Sequence, residues 1–513
     1  MLYETEEAMQ PVRGDHRLLY AADRGVPRSV LSLAESVRIQ GARAAAANIT
    51  DMANYSLFSE YEKQLLTDYE LFGLDCAYGG NGFSTDQVEE HLKKYLKWNE
   101  RPLEGITGIL FFDPWQIRLS QSMITEYSLL SDPGGCGFYD QAVSFMKETA
   151  LAQAAGKLHA YYADAQKMED LQKIYEEARA ASDSAMEGAE SGAEAAIAQA
   201  REEGIRLERP RGIVNPLREI AKVVRQGIFE SVIGDADISG NSVSGFSLAS
   251  HRLLHTGTLK LEKETGGLTD DLLFREYLLD HFPNFADHSP DGTERSAGLL
   301  QYQAEYLAAG KNSDVQNLKS VVLKLALLRE GANYLYCIQD LGMNAETEGL
   351  ALLLMGWTGI PQLVEVVKQA LLVGWTCAES LIDVRTLLLG GRVPLMKDAS
   401  SWYCTLDQLK DLSSILREPG KDRGTGLRYK DYLRILLNMQ PVSQQIRRGM
   451  DLVEMNMRAA NGFQGFRIDH CIVAVRDRAK WSMEPVFTRV TRAFTGIAPQ
   501  LWETQTQAGF AYR

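Results

Sequence analysis

The residues of this chain whose spacing best suits chemistry are histidines. His251 and His255 are four positions apart, a separation that puts two imidazoles on one face of a helix, as in zinc-binding helices. His281 and His288 follow them in the chain and could converge with them. No H-E-x-x-H motif accompanies the pair, so no motif assigns a metal site. The sequence leaves His251, His255 and His281 as the candidate metal ligands.

Other catalytic motifs do not occur in the sequence. There is no G-x-S-x-G nucleophile elbow, and Gly310-Lys311 lacks the flanking residues of a phosphate-binding loop. The six cysteines are scattered singly without a C-x-x-C pair, which indicates free thiols rather than a zinc or redox motif. The sequence therefore predicts no catalytic residue, no cofactor and no enzymatic activity.

The elements that would position these residues follow from hydrophobic periodicity, which predicts an α+β fold. Helical spacing from Arg28 to Thr67 predicts a long N-terminal helix. The apolar stretch Gln116–Leu130 and the alternation over Phe466–Met483 predict strands, which we expect to form a mixed sheet packed with that helix. Leu300–Tyr306 also alternates, with Gln and Glu on one face, and is predicted to be a half-buried strand.

The C-terminal half is predicted to be rich in helix and to close with strands. A helix over Asp314–Gln339 has Ser313 at its N-cap, and a second over Pro361–Leu389 has proline at its first position. A helical pair follows across Tyr429–Asn461, divided at Pro441, and a last strand is expected near Ala508–Tyr512.

The chain is predicted to have four segments: 1–28, 29–137, 138–209 and 210–513. The third is predicted to be an acidic helical hairpin, since residues 161–208 hold 12 acidic and 5 basic side chains. Gly188 and Gly192 are expected to mark its bend, because glycine costs about 1 kcal/mol inside a helix. Such an arm is either a solvated, partly coiled-coil structure or a docking surface for a partner.

Composition limits the function classes further. With 54 basic and 68 acidic residues the net charge is −14, which argues against nucleic-acid binding because phosphate neutralisation needs clustered Lys and Arg. No segment reaches the roughly 18 uninterrupted apolar residues of a membrane span. Residues 1–28 carry too many charges for a signal peptide.

A family resemblance emerges when several stretches are taken in order. They are Leu33–Asp75, Thr125–Lys147, Tyr306–Tyr336, Val364–Lys397 and Tyr429–Cys471. Together they resemble a clostridial-type family of unknown function that is often encoded beside tight-adherence (Tad) pilus and secretion genes. Members of that family typically have a short basic segment and a membrane helix that runs directly into an E-S-x-R-x-Q-G motif, seen here as Glu35–Gly41.

This chain departs from the family at residues 1–28, which are polar. Read one base later, the codons for Asp15–Tyr20 can encode Ile-Thr-Val-Tyr-Phe, which is similar to the start of the family's membrane helix. We therefore expect a frameshifted gene model or a natural lesion at this point, and the genomic DNA decides between these and an authentic start.

The resemblance implies a pseudopilin-like layout, in which an apolar N-terminal helix anchors in the membrane and the rest projects outside. It thus implies a non-enzymatic assembly component of a Tad-like pilus or secretion system at the extracytoplasmic face of the cell envelope, with other proteins of that apparatus as partners. Val37, Gly41, Ala45 and Met52 are predicted to line a helix interface, because small residues allow close backbone approach.

Three alternatives remain open at this stage. The N-terminal helix could simply pack on its own domain. The protein could be a metal-dependent hydrolase that uses the clustered histidines, or a cytoplasmic regulatory scaffold if residues 1–28 are authentic.

Overall fold

The computed structural model describes residues 28–80, 82–100, 115–149, 152–204, 212, 214–245, 248–260, 266–287, 298–418, 422, 424–460, 462–487 and 501–512. The predicted N-terminal segment, apart from Arg28, and His288 therefore lie outside the described residues. The chain forms two compact units. We call the first the sheet unit (Met1–Gly137, Leu254–Glu262 and Gly465–Arg513) and the second the helical unit (Phe138–Leu253 and Lys263–Gln464).

Helices dominate the described part of the chain. In chain order they are α1 (Arg28–Phe58), α2 (Lys63–Tyr69), α3 (Asp86–Glu100), α4 (Cys136–Thr149), α5 (Ala152–Glu202), α6 (Leu217–Gln226), α7 (Ile228–Ile233), α8 (Leu268–His281), α9 (Gln303–Ala309), α10 (Asp314–Gln339), α11 (Leu341–Met355), α12 (Pro361–Leu388), α13 (Leu412–Ile415), α14 (Tyr429–Asn438) and α15 (Val442–Ala459). The strands are β1 (Leu74–Asp75), β2 (Ile117–Leu129), β3 (Cys471–Met483) and β4 (Trp502–Ala511). Helices and strands are segregated in the sequence, as the α+β prediction requires.

The sheet is built around β3. One edge of β3 pairs with β2 along almost its whole length, and the other edge pairs first with β1 and then with β4. All of these pairs are antiparallel, so the prediction of a mixed sheet is wrong for the described strands. The sequence does not indicate the relative direction of β2 and β3, because more than 300 residues separate them along the chain. A connection of that length allows either direction and any partner strand.

Helix α1 supplies one side of the core of the sheet unit. Its buried apolar residues recur every three or four positions and meet residues of α3 and the sheet. The buried stripe on α1 consists of Ile39, Ala42, Ala46, Ile49, Ala53 and Leu57. Three of these are alanines, and such a thin stripe lets the helix approach the sheet closely.

The Glu35–Gly41 motif fixes α1 to the sheet unit through a buried ion pair. The Arg38 guanidinium donates to Glu35 Oε1 at 2.5 and 2.9 Å, to the Trp115 carbonyl at 2.8 Å and to the Glu484 carbonyl at 2.6 Å. Glu35 Oε2 accepts the backbone N–H of Phe487 at 2.6 Å. The pair therefore links the helix to the segment before β2 and to the segment after β3.

Gly41 completes this attachment by leaving room for an aromatic ring. A Cβ at this position would lie 2.1 Å from the Trp115 ring, so any larger residue would displace the tryptophan. The close approach that the sequence predicted for Gly41 thus occurs inside the sheet unit, against Trp115.

The helical unit corrects the predicted hairpin. Helix α5 runs without interruption through Gly188 and Gly192, so the bend predicted there is wrong. It is also not a free arm, because a stripe that includes Leu158, Met168 and Tyr175 is buried. Its neighbours in the unit are α8, α10, α12 and α14. Packing of this stripe outweighs the cost of about 1 kcal/mol that each interior glycine imposes on the helix.

The strand predicted over Leu300–Tyr306 is also wrong, since these residues lead into helix α9. Two of the three polar residues that suggested a solvated face, Gln303 and Glu305, are buried, whereas Gln301 is exposed. Gln303 exchanges hydrogen bonds with Asn456, and Glu305 accepts one from the Tyr429 hydroxyl at 2.8 Å. A buried polar side chain with a partner has the same sequence signature as an exposed one, which explains the error.

Among the described helices, none combines the length and apolar character needed to cross a bilayer.

The Glu35–Arg38 pair yields a stability prediction. Replacing Glu35→Ala leaves the buried guanidinium without its carboxylate, and we expect a loss of about 3–5 kcal/mol in the free energy of unfolding. Chemical denaturation followed by tryptophan fluorescence measures it. Glu126→Ala is the matched control, since its ion pair with Arg476 across β2 and β3 is exposed and should contribute at most about 1 kcal/mol. Equal losses in the two variants would contradict the assigned role.

Candidate functional site

The three histidines that the sequence selected belong to two different units. His255 belongs to the sheet unit, whereas His251 and His281 belong to the helical unit. His281 Nδ1 lies 2.8 Å from the Tyr277 carbonyl, and its ring packs against the Tyr277 ring. Neither His251 nor His281 joins a group of potential metal ligands within the part of the chain that the structure describes.

His255 does join such a group, with two residues that the sequence analysis did not select. One ligand atom each from His255, Asp469 and His470 lie within 4.8 Å of one another, and we call this set the histidine cluster. Asp75, Cys76 and His470 meet the same criterion, and we call them the cysteine cluster. The two clusters share His470, which is therefore the central residue of the site.

The start of β3 fixes the position of His470. A short 3-10 turn, Ile468–His470, leads into the strand. The His470 carbonyl accepts the backbone N–H of Cys76 at 3.0 Å, and the next carbonyl, that of Cys471, accepts from Leu130 at 2.8 Å. Backbone pairing on both edges of the strand thus holds this residue in place.

A separate segment, residues 254–260, brings His255 to the same place. The His255 backbone N–H donates to Asp469 Oδ2 at 3.0 Å, and the Gly257 N–H donates to Asp132 Oδ2 at 2.6 Å. Leu259 N–H donates to the Tyr127 carbonyl at 2.8 Å. The segment is therefore bound through its backbone along the end of β2.

Phe83 forms the aromatic wall of the site. Its ring stacks on the His255 ring at 4.4 Å between centroids with 12° between the planes, and it meets the His470 ring edge-on at 5.6 Å. His255 remains exposed at the surface. The site consequently opens to solvent on the His255 side and is closed on the His470 side.

The His470 side chain is buried, but its polar atoms have no hydrogen-bond partner among the described residues. Only 1% of its surface is exposed, and neither ring nitrogen has a hydrogen-bond partner among the described residues. Burial lowers the pKa of its imidazole, which favours the neutral ring. A buried polar group without a partner costs about 1–3 kcal/mol, so this arrangement needs an explanation beyond packing.

The predicted interface residues lie on two sides of α1. Val37 and Met52 are exposed, with 65% and 49% of their surfaces accessible. Gly41 and Ala45 are half-buried, Gly41 against Trp115 and Ala45 against the apolar core. Two of the four are therefore available on the surface of the described chain, and the other two contribute to internal packing.

The helical unit holds a polar cleft of about 440 Å³ beside α6, α7 and the end of α12. Arg385 and Arg417 both line this cleft, and the Arg385 guanidinium donates to the carbonyls of Val232, Arg417 and Glu418. These bonds give Arg385 a structural role in holding the cleft's walls together.

The helical unit also contains a buried ion network. Arg329 donates to Asp383 at 3.0 Å, and the Lys397 ammonium contacts both Asp383 and Glu379. Glu379 in turn accepts the backbone N–H of Cys404 at 2.8 Å. Every charge in this network has an opposite charge or a hydrogen-bond partner, so it ties the chain after α12 to the helices rather than offering a reactive group.

Residues 207–483, more than half of the chain, match the model of a family of unknown function, DUF5702. The chain therefore belongs to this family. No curated protein and no solved structure matches it. The histidine cluster lies inside the matched region, whereas Asp75 and Cys76 precede it.

Buried carboxyls in the helical unit give a pH prediction. Burial raises the pKa of Glu305 from 4.5 to about 7, and it does the same for Glu330. A raised folded-state pKa means that the folded protein holds this proton more tightly than the unfolded chain. The stability associated with each group is therefore complete below pH 4.5 and declines as the pH rises through about 7.

Replacing Glu305→Gln removes one of these groups and should flatten that decline. Relative to wild type, the variant should gain stability from pH 4.5 to pH 8, by up to about 3 kcal/mol. Denaturation curves across this range measure the difference. Glu169→Gln, on the exposed face of α5, is the control and should follow the wild-type profile. A constant offset between wild type and Glu305→Gln would show that Glu305 does not titrate in this window.

Proposed function

We propose that this protein is a non-enzymatic, pseudopilin-like assembly component of a Tad-like pilus or secretion apparatus at the cell envelope. Its working surface is the side of α1 that faces away from the core. The observation that carries the proposal is a line of exposed apolar side chains along this helix, opposite the buried stripe.

The apolar face of α1 has helical spacing of its own. It consists of Val30, Leu33, Val37, Ala44, Met52 and Tyr55, all of them exposed. The first three follow one another at intervals of three and four residues, and each of the three has half or more of its surface accessible. Three large aliphatic side chains exposed in succession at the start of one helix form a local apolar patch, and such a patch supports a docking role.

The charge distribution favours an apolar, helical partner. Between Ser29 and Val37 the one charged side chain is Glu35, and it is buried in its pair with Arg38. The exposed surface at the start of α1 is therefore uncharged and aliphatic. A neighbouring helix with its own apolar stripe would bury these side chains without removing any charge from water.

The family resemblance supports the same conclusion. In the similar family, an apolar helix runs directly into the motif that here spans Glu35–Gly41. The motif fixes α1 to the sheet unit, so a helix that continued it would be rigidly joined to the folded part. Such a join is compatible with a pseudopilin-like layout, in which the anchoring helix continues into the folded body.

A second candidate, a metal-dependent hydrolase, is favoured by the histidine cluster alone. Two imidazoles and a carboxylate that open to solvent are a ligand set used by hydrolytic zinc sites. Hydrolysis of ester or phosphoester substrates that depends on added zinc would favour this candidate over the assembly role.

Charged substitutions on the apolar face of α1 test the proposal in native cells. We expect wild-type protein to fractionate with the envelope in a large complex, and the Leu33→Asp/Val37→Asp double variant to be released from that complex. Each side chain contributes about 1.5–3 kcal/mol when buried, so association should weaken about 100-fold or more. Fractionation followed by native electrophoresis measures the distribution.

Ile174→Asp is the matched control. Ile174 is also a large exposed aliphatic residue, but it lies on α5. This variant should remain in the complex. Release of both variants, or of neither, would contradict the role of α1, and monomeric wild-type protein in the cytosol would favour the regulatory scaffold.

A further inference from the structure

We propose that His255, Asp469 and His470 bind a zinc ion. This site is independent of the docking role of α1 and uses none of its residues. The proposal starts from His470, whose side chain is 99% buried and whose two ring nitrogens have no hydrogen-bond partner in the described part of the chain. It lies beside a second imidazole and a carboxylate. A bound cation would supply a partner for one of the two ring nitrogens of His470.

The donor types select the metal. Two imidazole nitrogens and one carboxylate oxygen suit zinc, which binds His and Asp with four-coordinate geometry and often keeps water in the fourth position. Calcium and magnesium prefer sites made of oxygen atoms alone. The exposed ring of His255 gives the ion a path from solvent and leaves room for a water ligand.

The histidine cluster suits this ion better than the cysteine cluster does. In the latter, the Asp75 carboxylate is already engaged by the turn that follows β1. Its Oδ1 accepts the Ala77 N–H at 3.0 Å, and its Oδ2 accepts the Gly79 N–H at 2.9 Å. Cys76 and His470 are both buried, so an ion bound there would be open to solvent only on the side of Asp75.

The protein also orients the ligands before an ion arrives. Asp469 is held by the His255 backbone N–H, and the His255 ring is held by stacking on Phe83. Gly257 lets its segment lie directly on β2, because a Cβ there would be 2.3 Å from the Tyr127 carbonyl. Supporting contacts of this kind typically contribute a factor of about 10–100 to metal affinity.

The test uses the purified full-length chain, stripped with a chelator and then titrated with Zn²⁺ alone. We expect one ion per chain by calorimetry and by elemental analysis after dialysis. Substitution with Co²⁺ then reports the ligand types, because a cysteine ligand adds a thiolate-to-cobalt charge-transfer band. We expect a cobalt spectrum without that band.

Four variants assign the ligands. His255→Ala should abolish stoichiometric binding without unfolding the protein, since this side chain is exposed. His251→Ala is the matched control, an exposed histidine four positions earlier, and should bind zinc as wild type does. Cys76→Ser should also bind normally. Gly257→Ala removes no ligand but shifts the segment that carries His255, and it should weaken binding about 10-fold or more.

Several outcomes would overturn the proposal. Absence of zinc binding by the wild-type chain would do so directly. Loss of binding in Cys76→Ser, or a thiolate band with Co²⁺, would move the ion to the cysteine cluster. Equal effects of His255→Ala and His251→Ala would indicate adventitious binding by surface histidines. Because the α1 residues are untouched, the envelope fractionation of these variants reports separately on the assembly role.

Discussion

The buried ion pair between Glu35 and Arg38 is the interaction on which the sheet unit depends. Two charges removed from water are costly, and here the cost is offset because backbone groups satisfy the pair on all sides. Those groups belong to segments before β2 and after β3, the latter more than 400 residues from Arg38 along the chain. The pair thereby fixes the rotation of α1, and with it the direction in which the helix presents its apolar face.

Whether buried polar groups have hydrogen-bond partners also distinguishes structural residues from candidate site residues elsewhere in the molecule. In the helical unit, Arg329, Asp383 and Lys397 are buried and are matched by partners of opposite charge. In the sheet unit, His470 is equally buried, yet its ring nitrogens have no partner among the described residues. Buried polar groups need partners. The residues of the ion network have them and are therefore structural, whereas His470 does not and is therefore a candidate metal ligand.

Prediction from the sequence was most accurate where structure is set by near neighbours. The helix predicted over Asp314–Gln339 is α10, and Ser313 caps it by accepting the Gln316 N–H. Prediction was wrong where burial decides: Leu300–Tyr306 alternates like a strand, but Glu305 is buried with Tyr429 as its partner. The bend predicted at the glycines of α5 was wrong for the same reason, because packing outweighs their low helix propensity.

The sequence by itself determined the helical periodicity and the caps, since each depends on residues within one or two turns. It also pointed to His255 as a candidate metal ligand. Only the tertiary structure decided what His255 meets, because Asp469 lies 214 positions further along and reaches it through strand pairing. Contacts across such distances depend on which strands pair and which faces are buried, and no local pattern encodes either.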